Sequence, residues 1–204
     1  MNEAQQESAG HETDPHKAAG GVVGSLSESV DTTEGERRPT AVAILWDVEN
    51  TLAMPTAKTI EVPFTRKVGE AVLHYLRLCE LEPCVDYQII YTHRPLWKEL
   101  REALTTLGFQ VFRTRSQKPS AADRRFAVLV NEALRGKRAP LPPTVALVSD
   151  DGDFSHMMHR LQDAGHRVWV FGWKAKTNQR LRYFSDKFIT IQDALYALRT
   201  APTP

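Results

Sequence analysis

The chain has 204 residues, 42% hydrophobic and 25% charged, with a net charge of +1 at neutral pH; this is ordinary globular composition, and it excludes collagen-like and low-complexity classes. That length builds one domain with a sizeable core rather than two full ones. The charge is uneven: residues 1–40 carry eight acids against three bases, net −5, which leaves net +6 on 41–204. Residues 1–39, rich in Gly, Ser, Glu and Thr with almost no large apolar groups, read as a disordered acidic tail, and 40–200 as the folded domain. In chain order the strands fall at 41–47, 85–92, 109–113, 144–149 and 166–172, each short and rich in Val, Ile, Phe or Tyr. Between and after them lie helical patterns at 64–81, 96–107, 121–135, 154–164 and 191–199, where apolar residues recur at three- and four-residue steps. Alternation of this kind predicts a parallel sheet covered by helices on both faces.

Cys79 and Cys84 are the two cysteines. Two thiols make neither a disulfide framework nor a cysteine-rich zinc site, so a reducing intracellular compartment follows, cytoplasm or nucleus by default with an organelle left open. No apolar run approaches the ~20 residues of a membrane span, and the N-terminus lacks the basic start and apolar stretch of a secretory signal.

Two of the strands end in acid. Ala41-Val42-Ala43-Ile44-Leu45-Trp46 runs into Asp47-Val48-Glu49-Asn50, and Thr144-Val145-Ala146-Leu147-Val148 runs into Ser149-Asp150-Asp151-Gly152-Asp153-Phe154. In an open parallel sheet the carboxyl ends of the strands share one edge, where such folds build their sites. Asp123, in Ala121-Ala122-Asp123 at a loop-to-helix entry after the third strand, belongs to the same edge. Carboxylates held close together repel one another unless a proton or a cation neutralises them. The pattern therefore suggests a hard cation, Mg²⁺ or Mn²⁺, able to activate water for attack on a phosphodiester. Each acid also has a plainer use: Asp123 as a favourable charge in a first helical turn, Asp150 or Asp153 as a helix N-cap. Asn50 can cap or orient Asp47, and Ser149 can hydrogen-bond an acid or a bound water.

Taken together, Trp46-Asp47-Val48-Glu49-Asn50, Lys118 with Ala121-Ala122-Asp123, and Val148-Ser149-Asp150-Asp151-Gly152-Asp153-Phe154 resemble an NYN domain of the PIN-like nuclease superfamily, over roughly 41–195. The resemblance implies an α/β fold, a Rossmann-like three-layer sandwich with a mostly parallel five- or six-stranded sheet. It also implies metal-dependent cleavage of RNA, in processing or turnover. Asp47 matches the first-strand acid, Asp123 the middle acid, Asp151 the most characteristic acid of the last motif and Asp153 its second. Position 150 is usually small in that pattern, so Asp150 either adds a ligand or caps the helix. On this reading Asp47, Asp123 and Asp151 hold Mg²⁺ or Mn²⁺, and Asp153 or Asp150 completes or positions the shell.

Single-stranded RNA is the partner this implies, with a homodimer or a larger ribonucleoprotein assembly left open and no membrane. Two basic groups follow the carboxyl ends of predicted strands: Arg113, Arg115, Lys118, Arg124 and Arg125, and then Lys174, Lys176, Arg180 and Arg182, interleaved with Trp173, Tyr183 and Phe184. Cations track a phosphate backbone while aromatic faces stack unpaired bases. Two other readings stand beside this one. One is a catalytically silent RNA-binding or scaffolding NYN module, which would gain nothing from clustered negative charge. The other is a haloacid dehalogenase-like phosphatase, in which Asp47 is a nucleophile followed two residues later by an acid, with Thr92, Lys118 and Asp150-Asp151 completing the set. The Glu at 49, the Asn at 50 and the lack of a use for Asp123 count against it.

Overall fold

Val42 through Trp46 are fully buried, the pattern of a strand covered on both faces rather than one with a wet side. This strand, β1 (Thr40–Trp46), is central in a computed structural model that describes residues 39–52, 62–92, 96, 98–115 and 120–202. The expected acidic tail thus lies outside the described residues apart from Pro39, as does Lys118. After β1 come α1 (Val48–Leu52), α2 (Val62–Leu78), β2 (Leu81–Thr92), α3 (Lys98–Thr106), β3 (Gln110–Arg113), α4 (Ala121–Leu134) and β4 (Thr144–Val148). A 3₁₀ turn at Gly152–Phe154 leads into α5 (Ser155–Asp163), β5 (Arg167–Gly172), α6 (Gln179–Phe184), β6 (Lys187–Thr190) and α7 (Ile191–Thr200).

The six strands form one sheet in the order β3-β2-β1-β4-β5-β6, every pair parallel. Strand alternation splits the core into two layers. Val42, Ile44 and Trp46 face a cluster with Val68, Val72 and Leu76 of α2, Leu100 and Leu104 of α3, and Ile191 and Ala194 of α7. Ala43 and Leu45 face the other, with Phe126, Leu129 and Val130 of α4, Met157, Met158 and Leu161 of α5, and Leu181 of α6. The result is a three-layer α/β sandwich. No helix among the described residues is long and apolar enough to cross a membrane.

The strand order reverses between β1 and β4, and the crevice beyond the carboxyl ends at such a switch point is where open sheets hold ligands. Register makes the two ends level. Trp46 pairs with Val148, and the Asp47 N–H donates to the Val148 carbonyl at 3.0 Å. Asp47 and Ser149 therefore leave the sheet side by side.

The structure moves some expected boundaries. The helix expected over 64–81 ends at Leu78, where Glu80 adopts a left-handed φ of 57° and the chain turns straight into β2 at Leu81. That strand starts four residues earlier than its apolar pattern suggests. Its first residues pair only with β1, since β3 meets it from Ile89 onward, so Pro83 sits where one side has no ladder to interrupt. The short elements α1, α6 and β6 were absent from the expected set, and β6 makes the sheet six-stranded.

Candidate metal centre

Asp123, Asp151 and Asp153 each present a carboxylate oxygen within 4.8 Å of the others. They arrive from two directions. Asp123 lies in the first turn of α4. Asp151 N-caps the 3₁₀ turn after β4, its Oδ1 accepting from the Asp153 N–H at 3.0 Å. The apolar floor holds these two pieces in register: Phe126 of α4 packs edge-on to Phe154 with ring centroids 5.9 Å apart and to Tyr91 at 4.9 Å. Phe154, the last residue of the acidic motif, is 2% exposed. It anchors the loop carrying Asp151 and Asp153 against the helix carrying Asp123.

Asp47 stands beside this group rather than in it. Its side chain is 1% exposed and accepts from the Asn50 side-chain amide at 2.6 Å and the Ser149 hydroxyl at 3.2 Å. Burial outweighs these bonds and pushes the Asp47 carboxyl up to about 6. Asn50 ties the pieces together, because its Nδ2 also donates to Asp151 Oδ2 at 3.1 Å. Ser149 does the same from the sheet, accepting from the Asp151 N–H at 3.1 Å. Glu49 turns away and accepts from the Thr92 hydroxyl at 2.6 Å.

The group fits a cation on an observation of its own. Asp123 Oδ1 is buried and has no hydrogen-bond donor among the described residues, a costly state for a charged acceptor unless something positive reaches it. Burial first, then the negative charges of Asp47, Asp151 and Asp153, push the Asp123 carboxyl up to about 7. Three hard oxygen donors around a common point suit Mg²⁺ or Mn²⁺ better than a soft metal.

The structure does not bring Asp150 to this group. Successive residues of an extended segment point to opposite sides, so Ser149 and Asp151 face the acids while Asp150 faces the end of β5. There its Oδ1 accepts from the Trp173 N–H at 2.8 Å and the Thr177 hydroxyl at 2.5 Å, with the Lys176 ammonium 3.7 Å from Oδ2. Asp150 is a latch on the loop after β5. Gly172 allows this close approach, since a Cβ there would meet the Thr177 hydroxyl and lie 2.8 Å from Asp150 Oδ1. The loop is tied further by the Trp173 indole N–H donating to the Thr51 carbonyl at 2.6 Å. Trp173, named from the sequence as an aromatic face for unpaired bases, stacks instead on Phe64 with ring centroids 6.0 Å apart; no motif pointed to Thr177 or Gly172, and the glycine ending a strand was the one available signal.

The basic residues divide. Arg113, Arg115, Arg124, Arg125, Lys174 and Arg180 are exposed. The Arg182 guanidinium instead donates to the Trp173 and Lys174 carbonyls and lies over the Phe188 ring, and the Lys176 ammonium donates to the Asn50 carbonyl. These two cations brace the loop. The burial of Asp47 and the bonds on both its oxygens do not favour a nucleophilic role.

A six-stranded parallel sandwich with an acidic cluster at its switch point defines an α/β protein whose grouped carboxylates fit metal binding. The NYN domain model matches residues 41–192, and the chain belongs to this family of the PIN-like nuclease superfamily. No curated protein matches it. Among solved structures it is similar to a protein of unknown function from Vibrio parahaemolyticus, at 23% identity and a TM-score of 0.55 over 78% of this chain and 96% of that one; this likeness concerns the fold.

Proposed function

We propose that this NYN domain is a metal-dependent endoribonuclease that hydrolyses single-stranded RNA. The observation that carries the reading is the grouping of Asp123, Asp151 and Asp153, one of which, Asp123, buries an oxygen without a hydrogen-bond donor among the described residues. Like charges are brought together here at a cost in stability, and a protein that merely bound phosphate would avoid that arrangement.

In this reading Asp123, Asp151 and Asp153 hold Mg²⁺ or Mn²⁺, which supplies Lewis acidity and acidifies a coordinated water when bound. Asn50 fixes the rotamers of Asp47 and Asp151 by donating to both, so the charge is oriented before substrate arrives. Asp47 contributes negative potential from behind. The exposed Arg113, Arg115, Arg124 and Arg125 on one flank, with Lys174 and Arg180 on the other, contact the phosphate backbone, while Lys176 and Arg182 hold their loop in place.

The test is cleavage of an unstructured RNA oligonucleotide by the full chain in Mn²⁺ against EDTA. Internal cuts in Mn²⁺ that vanish in EDTA and in Asp123→Asn are expected. RNA binding without cuts would favour the silent RNA-binding module, and a phosphorylated Asp47 trapped with a small phosphoester would favour the phosphatase.

A further inference from the structure

Beside the three acids lies a cleft of about 300 Å³ between α4 and α5, at the lower end of small-molecule sites. Its walls are two matched helical ridges. Asp123, Ala127 and Val130 follow one another at steps of four and three, as do Asp153, Met157 and Arg160. Asp123 and Asp153 form one end of the cleft and Asn131 and Arg160 the other, with an apolar middle of Ala127, Val130, Phe154 and Met157. Along the axis of α4, Asp123 and Asn131 are about 12 Å apart. Asn131 is half-buried and its side-chain amide makes no hydrogen bond among the described residues; Arg160 is exposed and makes no ion pair among them.

We propose that this cleft is the binding site for the base of the nucleotide flanking the cleaved phosphate, and that it takes a purine. The proposal rests on the ribonuclease reading for its substrate, and it adds the place and identity of one base. Continuity carries it: a phosphate joined to the acids through a cation they would hold directs its own nucleotide along the cleft. A flat base suits the apolar middle, where its faces leave water without losing hydrogen bonds. Its polar edge then reaches Asn131, which offers a donor and an acceptor, and Arg160, which offers donors. Asn and Arg are the side chains that pair in bidentate fashion with purine edges, at N7 and the exocyclic group. A pyrimidine presents no N7 and leaves one of these groups unpaired.

Two measurements on the full chain test this. The first is binding of adenosine 5′-monophosphate against cytidine 5′-monophosphate, in EDTA and in Mn²⁺, followed by calorimetry. Wild type is expected to favour the purine by about fivefold or more, the discrimination of one bidentate contact. Asn131→Leu should abolish that ratio while leaving the melting temperature and Mn²⁺ binding unchanged; should that variant not fold, Arg160→Gln is expected to diminish the ratio in its place. The second is the map of cut sites on random-sequence RNA, expected to show a purine at one position flanking the cut. Equal binding of the two nucleotides, or a purine ratio that survives both substitutions, would overturn the base site. The ribonuclease reading fails separately. RNA left uncut in Mn²⁺ with an Asn131-dependent purine ratio retained would sink the activity and keep the site, whereas cuts with no base preference would do the reverse.

Discussion

Asp123 occupies a first helical turn, where the helix dipole and backbone N–H groups favour negative charge, yet its carboxyl is pushed up to about 7. Burial and three neighbouring acids outweigh the dipole. The sign of the linkage follows. Between the ordinary value of 3.8 and about 7 the folded protein holds a proton that the unfolded chain has released, so this contribution to stability is fully present below 3.8 and is lost as pH rises through about 7. Asp47, pushed up to about 6, adds a loss of the same sign. Melting in EDTA should therefore show stability from these groups falling between pH 3.8 and about 7 and level above that, and Asp123→Asn should flatten that fall and raise the melting temperature above about pH 7. Metal needs the proton gone, so Mn²⁺ affinity is expected to rise over the same interval. Asn50 bridges Asp47 and Asp151 without being part of the three-acid group, and Asn50→Ala should weaken Mn²⁺ binding by about 10- to 100-fold, read by calorimetry. The positions of Asp47, Asn50, Ser149, Asp123, Asp151 and Asp153 were legible because strand ends and a helix entry of a parallel sheet must share an edge. The direction of Asp150 was not, because residue type says nothing about side; the alternation from Ser149 to Asp151 carried that information.

Among the elements, the turn after α2 stores identifiable strain. Glu80 sits at φ 57°, a conformation that costs a side-chain-bearing residue roughly 1–2 kcal/mol and glycine little. After the entropy that glycine adds to the unfolded chain, Glu80→Gly should stabilise the protein by about 1 kcal/mol, a rise of about 2–4 °C in melting temperature for a chain this long. The same turn explains why the helix expected over 64–81 stops early: Cys79 continues the apolar spacing, and nothing in periodicity announces a left-handed residue at 80. Long buried strands such as β1 and β4 were legible as continuous apolar runs. Short elements were not. The five residues of α1 are too few to show a helical period, α6 hides behind Arg180 and Arg182, and β6 carries Lys187, whose ammonium rests over the Trp169 ring 4.3 Å from its centroid.

At the scale of the whole molecule, the chain separates an acidic N-terminal stretch from a basic body, −5 against +6. The domain boundary near residue 40 is a proposal: deleting residues 1–38 should leave the melting temperature and RNA cleavage nearly unchanged, and a loss of several degrees would mean that the stretch packs on the domain. The body gathers like charge at the carboxyl edge between β1 and β4, where acids sit over a core that holds them fixed. A cation that binds only the folded state relieves this repulsion, and at ten times its dissociation constant it contributes about 1.4 kcal/mol. The most direct measurement is the Mn²⁺-induced rise in melting temperature of wild type against Asp151→Asn. A shared site requires a rise of a few degrees in wild type and a much smaller one in the variant, whose metal-free form should be no less stable because one repelling charge is gone. Equal rises in the two proteins, or no rise in either, would contradict a cation held by these carboxylates.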